Sequence, residues 1–335
     1  GDIEWVDYDN DGDLDIAYCG FNFVAMGLNR ITRIFENRNG GFVKQETDLP
    51  GMGRSDMDFG DYDNDGDPDL LICGIGDYYS STHLYQNQNG TFQKVNIELA
   101  PIMDGTCKWV DLDSDGALDI VLSGFKYDGT LPFKYITQMY LNTGNDFTEI
   151  FSGTGFDGAR VAAGDYDGDN KTDLLIAGKN NRLQSTGILY KNVSENANTR
   201  PGSPIIEGMY AYGDSVRLYW ANIKLDIETP NNGITYNLRV GTTPGGSEIM
   251  SAEAASDGTR KIRAKGNVGS INEFTLHGLT PGENYYYAIQ CIDASYQGSD
   301  FYTEGIFNSS SAFMIKQAFG FGNAQPLASD WMDYN

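Results

Sequence analysis

Three features of the chain predict an all-β protein built of four-stranded propeller blades and a β-sandwich. A nine-residue acidic loop recurs four times, strand-like apolar segments alternate between its copies, and a stretch after residue 200 lacks the loop altogether. The composition agrees, with 41 glycines, 21 tyrosines and 17 phenylalanines among 335 residues and few long runs of helix formers. A chain of this length suggests about two domains.

The acidic loops begin at Asp7, Asp61, Asp111 and Asp165, spaced 54, 50 and 54 residues apart, and read DYDNDGDLD, DYDNDGDPD, DLDSDGALD and DYDGDNKTD. A short strand enters each loop through WVD, FGD, WVD or AGD. After it comes an apolar run closed by Gly20, Gly74, Gly124 or Gly178, then an alternating segment that aligns Thr32, Thr82, Thr137 and Thr186, and Phe35, Tyr85, Tyr140 and Tyr190. Two of these segments lead into Asn-Gly hairpin turns, and a fourth strand starts at Phe42, Phe92 or Phe147. Four antiparallel strands per repeat make a blade.

Residues 1–199 thus hold four repeats. Residues 200–307 have different punctuation and fit a seven-stranded sandwich, with Trp220 in its core and Tyr285, Tyr287, Ile289 and Cys291 along one face of a strand. From 308 to 335 the blade pattern resumes at Phe313 and ends on WMDYN, the opening of a fifth loop. That return reads as the last strand of blade four, with the sandwich inserted in the preceding hairpin on the acidic-loop side; the alternative is a separate second propeller. The chain opens and stops within repeats and reads as a fragment.

With 47 acidic against 23 basic residues the net charge is −24, which repels phosphate backbones and argues against nucleic acid. No apolar run of about 18 residues is present to span a membrane. Cys19, Cys73, Cys107 and Cys291 lack the spacing of a zinc site or a disulfide framework and read as small buried residues.

Like charges this dense are costly to fold without a counter-ion. Side-chain oxygens stand at loop positions 1, 3, 5 and 9: Asp7, Asp9, Asp11 and Asp15; Asp61, Asp63, Asp65 and Asp69; Asp111, Asp113, Asp115 and Asp119; Asp165, Asp167, Asp169 and Asp173. Position 7, occupied by Asp13, Asp67, Ala117 and Lys171, can add a backbone carbonyl. Such a set suits a hard cation taking six to eight oxygens, and Ca²⁺ is expected at about four sites. An EF-hand is excluded, because position 12 holds Tyr18, Ile72, Leu122 and Ile176 where that loop needs a bidentate glutamate. Glycine at position 6 allows the sharp turn in three loops, and Asn170 replaces it in the fourth.

These motifs resemble the FG-GAP/VCBS repeats of integrin-α-type propellers, FGDYDNDGDPDLLICG most closely. Residues 200–307 resemble a fibronectin type III domain through Trp220, Leu279, Pro281 and Tyr285. The combination is similar to secreted surface proteins of Bacteroidetes-type bacteria. The resemblance implies an extracellular or cell-surface location and a ring of seven or eight blades, closed by further blades or a partner chain.

No nucleophile elbow or phosphate loop appears, the two histidines (His83 and His277) read as structural, and the tight carboxylate sets are explained by metal. A non-catalytic adhesion or ligand-binding module is therefore expected. The alternatives are a carbohydrate-active enzyme resembling polysaccharide lyases, or an accessory part of one, and a structural component of a surface assembly. A glycan or protein ligand is expected on the face opposite the acidic loops. There the connections between second and third strands carry Phe21, Phe23, Tyr78, Tyr79, Phe125, Tyr127, Phe133 and Tyr135.

Overall fold

A computed structural model describes residues 1–308 except 25–26, 39, 130–133, 145, 181, 183, 197, 222–225 and 261–263. The first sheet runs β1 (Asp2–Val6), β2 (Asp15–Val24), β3 (Gly27–Arg38), β4 (Gly41–Lys44), in chain order and antiparallel throughout. The second repeats it with β5 (Gly53–Gly60), β6 (Asp69–Ile75), β7 (Ser80–Gln88) and β8 (Thr91–Lys94), and the third with β9 (Met103–Val110), β10 (Asp119–Lys126), β11 (Lys134–Asn142) and β12 (Phe147–Thr154). The fourth contains β13 (Asp157–Gly164), β14 (Asp173–Lys179) and β15 (Ser185–Tyr190). Its expected last strand belongs to residues 308–335, of which all but Asn308 lie outside the described residues.

The acidic loops join the first and second strands of each sheet. Successive blades stack face to face, which is why the second strands read as continuous apolar runs rather than alternating ones. Ala17 and Ile34 meet Met57 and Phe59 between the first two blades, Leu71 and Leu84 meet Cys107 and Trp109 between the next two, and Val121 and Met139 meet Ala159 and Val161 after them.

First strands are sheet edges, with a row of N–H groups no ladder satisfies. Carboxylates from the preceding blade take several of them. Met57 N donates to Asp2 Oδ2 at 3.3 Å, Cys107 N to Asp56 Oδ2 at 3.1 Å and Trp109 N to Asp58 Oδ2 at 2.7 Å. Lys108 Nζ, 2.7 Å from Asp58 Oδ1, keeps that buried carboxylate paired.

The sandwich comprises β16 (Ile205–Tyr212), β17 (Ser215–Ala221), β18 (Thr235–Gly241), β19 (Glu273–Leu276), β20 (Asn284–Ile292) and β21 (Gly305–Asn308). One sheet orders β16-β17-β19 and the other β18-β20-β21, around a core of Trp220, Tyr236, Leu238 and Ile289. Tyr285, Tyr287 and Cys291 are buried on the same face of β20 as Ile289, as the alternation predicts. Six sandwich strands occur among the described residues against the seven expected. Two three-stranded antiparallel sheets packed on one core make this a β-sandwich.

One expectation needs correcting. Phe21 and Phe23 are not in a loop: β2 and β3 continue their ladder past Gly20, pairing Phe21 with Arg30 and Phe23 with Leu28. Phe125 and Tyr135 are likewise paired across β10 and β11. Period-two alternation carries on through these segments, so the backbone groups find ladder partners instead of turning.

Candidate functional site

Each acidic loop brings three carboxylates together, with one oxygen from each within 4.8 Å of the others. The groups are Asp7, Asp9 and Asp15; Asp61, Asp63 and Asp69; Asp165, Asp167 and Asp173; and, in the third loop, Asp111, Asp113 and Asp115. Oxygens bound to a single ion at about 2.5 Å are at most about 5 Å apart, so the spacing fits one cation per loop.

Two left-handed residues shape each loop. Position 6 has φ of +94° at Gly12, +101° at Gly66, +84° at Gly116 and +66° at Asn170. Position 4 is left-handed too, at Asn10, Asn64, Ser114 and Gly168, a requirement the sequence reading missed. The bend folds later N–H groups back onto position 1: Asp7 accepts from Asp11 N and Gly12 N, both at 3.1 Å, and Asp61 from Asp65 N at 3.0 Å and Gly66 N at 2.9 Å. Position 5 accepts the N–H of position 7 through one oxygen, at Asp11, Asp65, Asp115 and Asp169.

Position 9 opens the second strand and is buried in all four repeats. Its two oxygens accept from position 2 and from an asparagine on the third strand or, in the fourth repeat, just after it. For Asp69 these are Tyr62 N at 3.0 Å and Asn87 N at 2.8 Å; for Asp119, Leu112 N at 2.6 Å and Asn142 N at 2.7 Å. The same asparagines reach the preceding loop, where Asn87 Nδ2 donates to Tyr8 O at 2.7 Å, Asn142 Nδ2 to Tyr62 O at 2.8 Å and Asn192 Nδ2 to Leu112 O at 2.7 Å. Asn10 Nδ2 adds a bond to Asp67 Oδ1 at 2.7 Å, so the Asp67 side chain serves the link between loops. The recurring Asn after the third-strand aromatic was the available signal for this brace.

Position 3 is different. Asp9, Asp63 and Asp113 each keep Oδ1 buried with no hydrogen-bond donor, as does Asp13. A buried carboxylate oxygen without a donor is costly unless a cation faces it. Burial, with neighbouring carboxylates adding to it, pushes Asp7 up to about 7, Asp61 to about 8 and Asp69 to about 9, and holds Asp119 well above the usual carboxylate range. Without an ion these groups take up protons instead, and the all-oxygen donor set suits a hard divalent cation.

The sandwich sits on this same face and touches all four loops. Ile271 packs against Gly12, Ser270 Oγ donates to Gly66 O at 3.4 Å, Ser295 Oγ bonds Asp111 Oδ2, and Gln297 Nε2 reaches Asn170 O at 3.3 Å. Gly116 lies so close to the backbone of Glu228 that a Cβ there would be 2.3 Å from its carbonyl oxygen.

The aromatics form two groups at the far ends of the blades. Tyr79 lies 6.5 Å from Tyr78 and 5.8 Å from Tyr127 between ring centroids, and Phe125 lies 5.3 Å from Tyr135. Phe21 covers Gly53, while Phe133 and the side chain of Phe23 lie outside the described residues.

No curated protein matches the chain. Two solved structures overlap most of it. A β-1,2-glucanase from Parabacteroides distasonis is 11% identical, covering 79% of this chain and 38% of its own, with a TM-score of 0.23. The FN1–FN3 domains of chicken CNTN1 are 8% identical, covering 92% and 98%, with a TM-score of 0.22. Likenesses this distant carry no argument, and the chain spans only 38% of the glucanase's length. The FG-GAP-like repeat family model matches residues 7–72, 61–122 and 111–176, together just over half of the 335 residues. With its acidic loops, its repeated four-stranded sheets and this match, the chain belongs to the FG-GAP-like repeat family.

Proposed function

We propose that this is an extracellular, calcium-binding, non-catalytic module for adhesion or ligand binding, with the ions structural and the ligand, a glycan or a protein, on the opposite face. The observation that carries the metal half is the donor-less, buried Oδ1 repeated at Asp9, Asp63 and Asp113. Among the described residues no helix is long and apolar enough to cross a membrane. Calorimetric titration of chelator-stripped protein with Ca²⁺, followed by glycan and protein arrays probed with and without Ca²⁺, tests both halves. Saturable calcium uptake with calcium-dependent capture is the expected result; no calcium uptake, or no captured ligand, overturns the corresponding half.

Further blades, from the same protein or a partner, belong at both ends of the stack. Ile3 and Trp5 are 69% and 59% exposed, whereas their counterparts Met57, Phe59, Cys107 and Trp109 are buried. Leu175 and Leu189, both 49% exposed, correspond to the buried Leu71 and Leu84.

One observation favours the carbohydrate-active alternative. Burial pushes Glu4 up to about 7, an acid strength suited to proton transfer, with Lys265 Nζ at 3.9 Å. Polysaccharide turnover lost in Glu4→Gln would establish that reading; no turnover leaves the binding module.

A further inference from the structure

The tips of blades two and three are joined into a rigid aromatic shelf. Tyr78 and Tyr79 stand in the turn between β6 and β7, Tyr127 in the turn after β10. Between them Ser80, buried, acts as a clamp: its N–H and hydroxyl both lie 3.0 Å from Tyr127 O, and Tyr127 N donates back to Ser80 Oγ at 2.8 Å. Gly76 N closes the first turn on Tyr79 O at 3.1 Å. Gly129, at φ +84°, lies under the Tyr79 ring, where an added Cβ would be 2.7 Å from Cε1. The clamp and that tight seat fix Tyr79 against Tyr127. The rings are nevertheless open to solvent, 79% exposed at Tyr78 and 53% at Tyr79.

Fixed rings with exposed faces and phenolic hydroxyls lose little side-chain entropy on binding. Asp77 and Asp128, both exposed, flank the shelf, with Lys126 Nζ 3.6 Å from Asp128. Asp77 and Asp128, with Lys126 and its cross-strand neighbour Lys134 beside them, leave no local excess of positive charge, and on a chain of net charge −24 that disfavours uronates, sulfated polymers and other anions. A protein hot spot instead inserts an anchor into a pocket that closes over it, and this surface is made of projecting turns. What matches is a chain of flat, uncharged units with apolar C–H faces and hydroxyls at the rim. We propose that Tyr78, Tyr79 and Tyr127 form a binding site for a neutral hexose oligosaccharide, its pyranose faces stacked on the rings and its hydroxyls donating to Asp77 and Asp128. The inference rests on the binding-module reading above and names the ligand class for it.

The experiment titrates the calcium-loaded chain with neutral gluco-, manno- and galacto-oligosaccharides of four to six units, following tyrosine fluorescence and heat, with oligogalacturonate as the charged control. Expected is saturable binding of a neutral oligomer and none of the uronate. Tyr79→Ala should weaken it about tenfold, the worth of one aromatic contact, with the melting temperature kept. Gly129→Ala, which displaces the Tyr79 ring without removing any shelf side chain, should weaken it too. Neutral-sugar binding indifferent to Tyr79→Ala and Tyr127→Ala would overturn the shelf while leaving a binding module. Array capture of a protein alone, sensitive to Tyr78→Ala, would overturn the sugar class only, and failure to capture any glycan or protein would overturn both.

Discussion

The second and fourth acidic loops carry aspartates at the same four positions, yet they meet their charge in different ways. Asp63 accepts from Gln86 Nε2 through Oδ2 at 2.6 Å and keeps Oδ1 buried and donor-less. In the fourth loop Asp167 Oδ2 is held by the ammonium of Lys191, which also lies 3.4 Å from Asp169 Oδ2. Gln86 and Lys191 occupy one repeat position, directly after the third-strand aromatic, where the first and third repeats have Glu36 and Leu141. The fourth loop also borders a cleft of about 410 Å³ lined by Tyr166, Arg200 and Gln297. Identical ligand spacing therefore does not make identical sites: a residue from a different strand sets how much positive charge each loop still needs.

Removing metal should have the largest effect. A ligand that binds only the folded state at a hundredfold excess over its Kd stabilises by about 2.7 kcal/mol per site. Chelation should thus lower the melting temperature markedly, chiefly through the first three loops, and a thermal melt that does not move would break the comparison at its root. Acidity acts in the opposite sense on the stripped protein. Asp7, Asp61 and Asp69 are raised to about 7, 8 and 9, above the ordinary carboxylate range, so the metal-free fold binds more protons than the unfolded chain. The stability they confer is complete below about pH 4 and is lost as pH rises towards 9. Melts in chelator should be higher at pH 5 than at pH 8, and saturating calcium should shrink or reverse that difference because protons and ions compete for the same oxygens.

The asparagine brace gives a smaller, local contrast. Asn87 is fully buried and donates to Tyr8 O and Pro68 O, while Asn192 makes the same pair of bonds half-exposed. Asn87→Ala strands buried carbonyls and should cost about 1–3 kcal/mol. Asn192→Ala should cost less, since water can replace the lost donor. Denaturant unfolding of the two variants side by side measures the gap, and equal losses would show that the fourth repeat is as sealed as the second.

Much of this was legible in the sequence because repetition makes weak signals add. Four copies marked the carboxylate positions of the loop, the strand before each loop and the strand after it, and position 12 excluded the helical alternative. The sandwich showed in Trp220 and the alternation along Tyr285, Tyr287 and Ile289. Features that depend on another blade were not readable. Nothing local marks Asp56 and Asp58 as acceptors for the backbone of β9, and the recurring asparagine signals a role for Asn87 without showing that it reaches Tyr8. The aromatics after Gly20 read as loop residues because a glycine there reads as an ending, whereas at φ near +153° Gly20 keeps its place in the ladder and the strand continues. Lys191 was visible as a residue but not as a ligand's partner, because the contact joins positions 24 apart in sequence.

Exchanging the residue after the aromatic sharpens the comparison with the smallest expected effect. Lys191→Gln removes the ammonium that sits on Asp167 and Asp169, leaving two carboxylates that an ion must then neutralise alone. Calcium affinity at the fourth loop should rise severalfold, most at low ionic strength, since Lys191 is well exposed and its field is screened by salt. Gln86→Lys should do the reverse at the second loop, placing a competing cation beside Asp63 and lowering affinity there. Calorimetric titration resolves the weakest class of sites in each variant. If Lys191→Gln leaves it unchanged, the ammonium is a surface neighbour with no say in the fourth site.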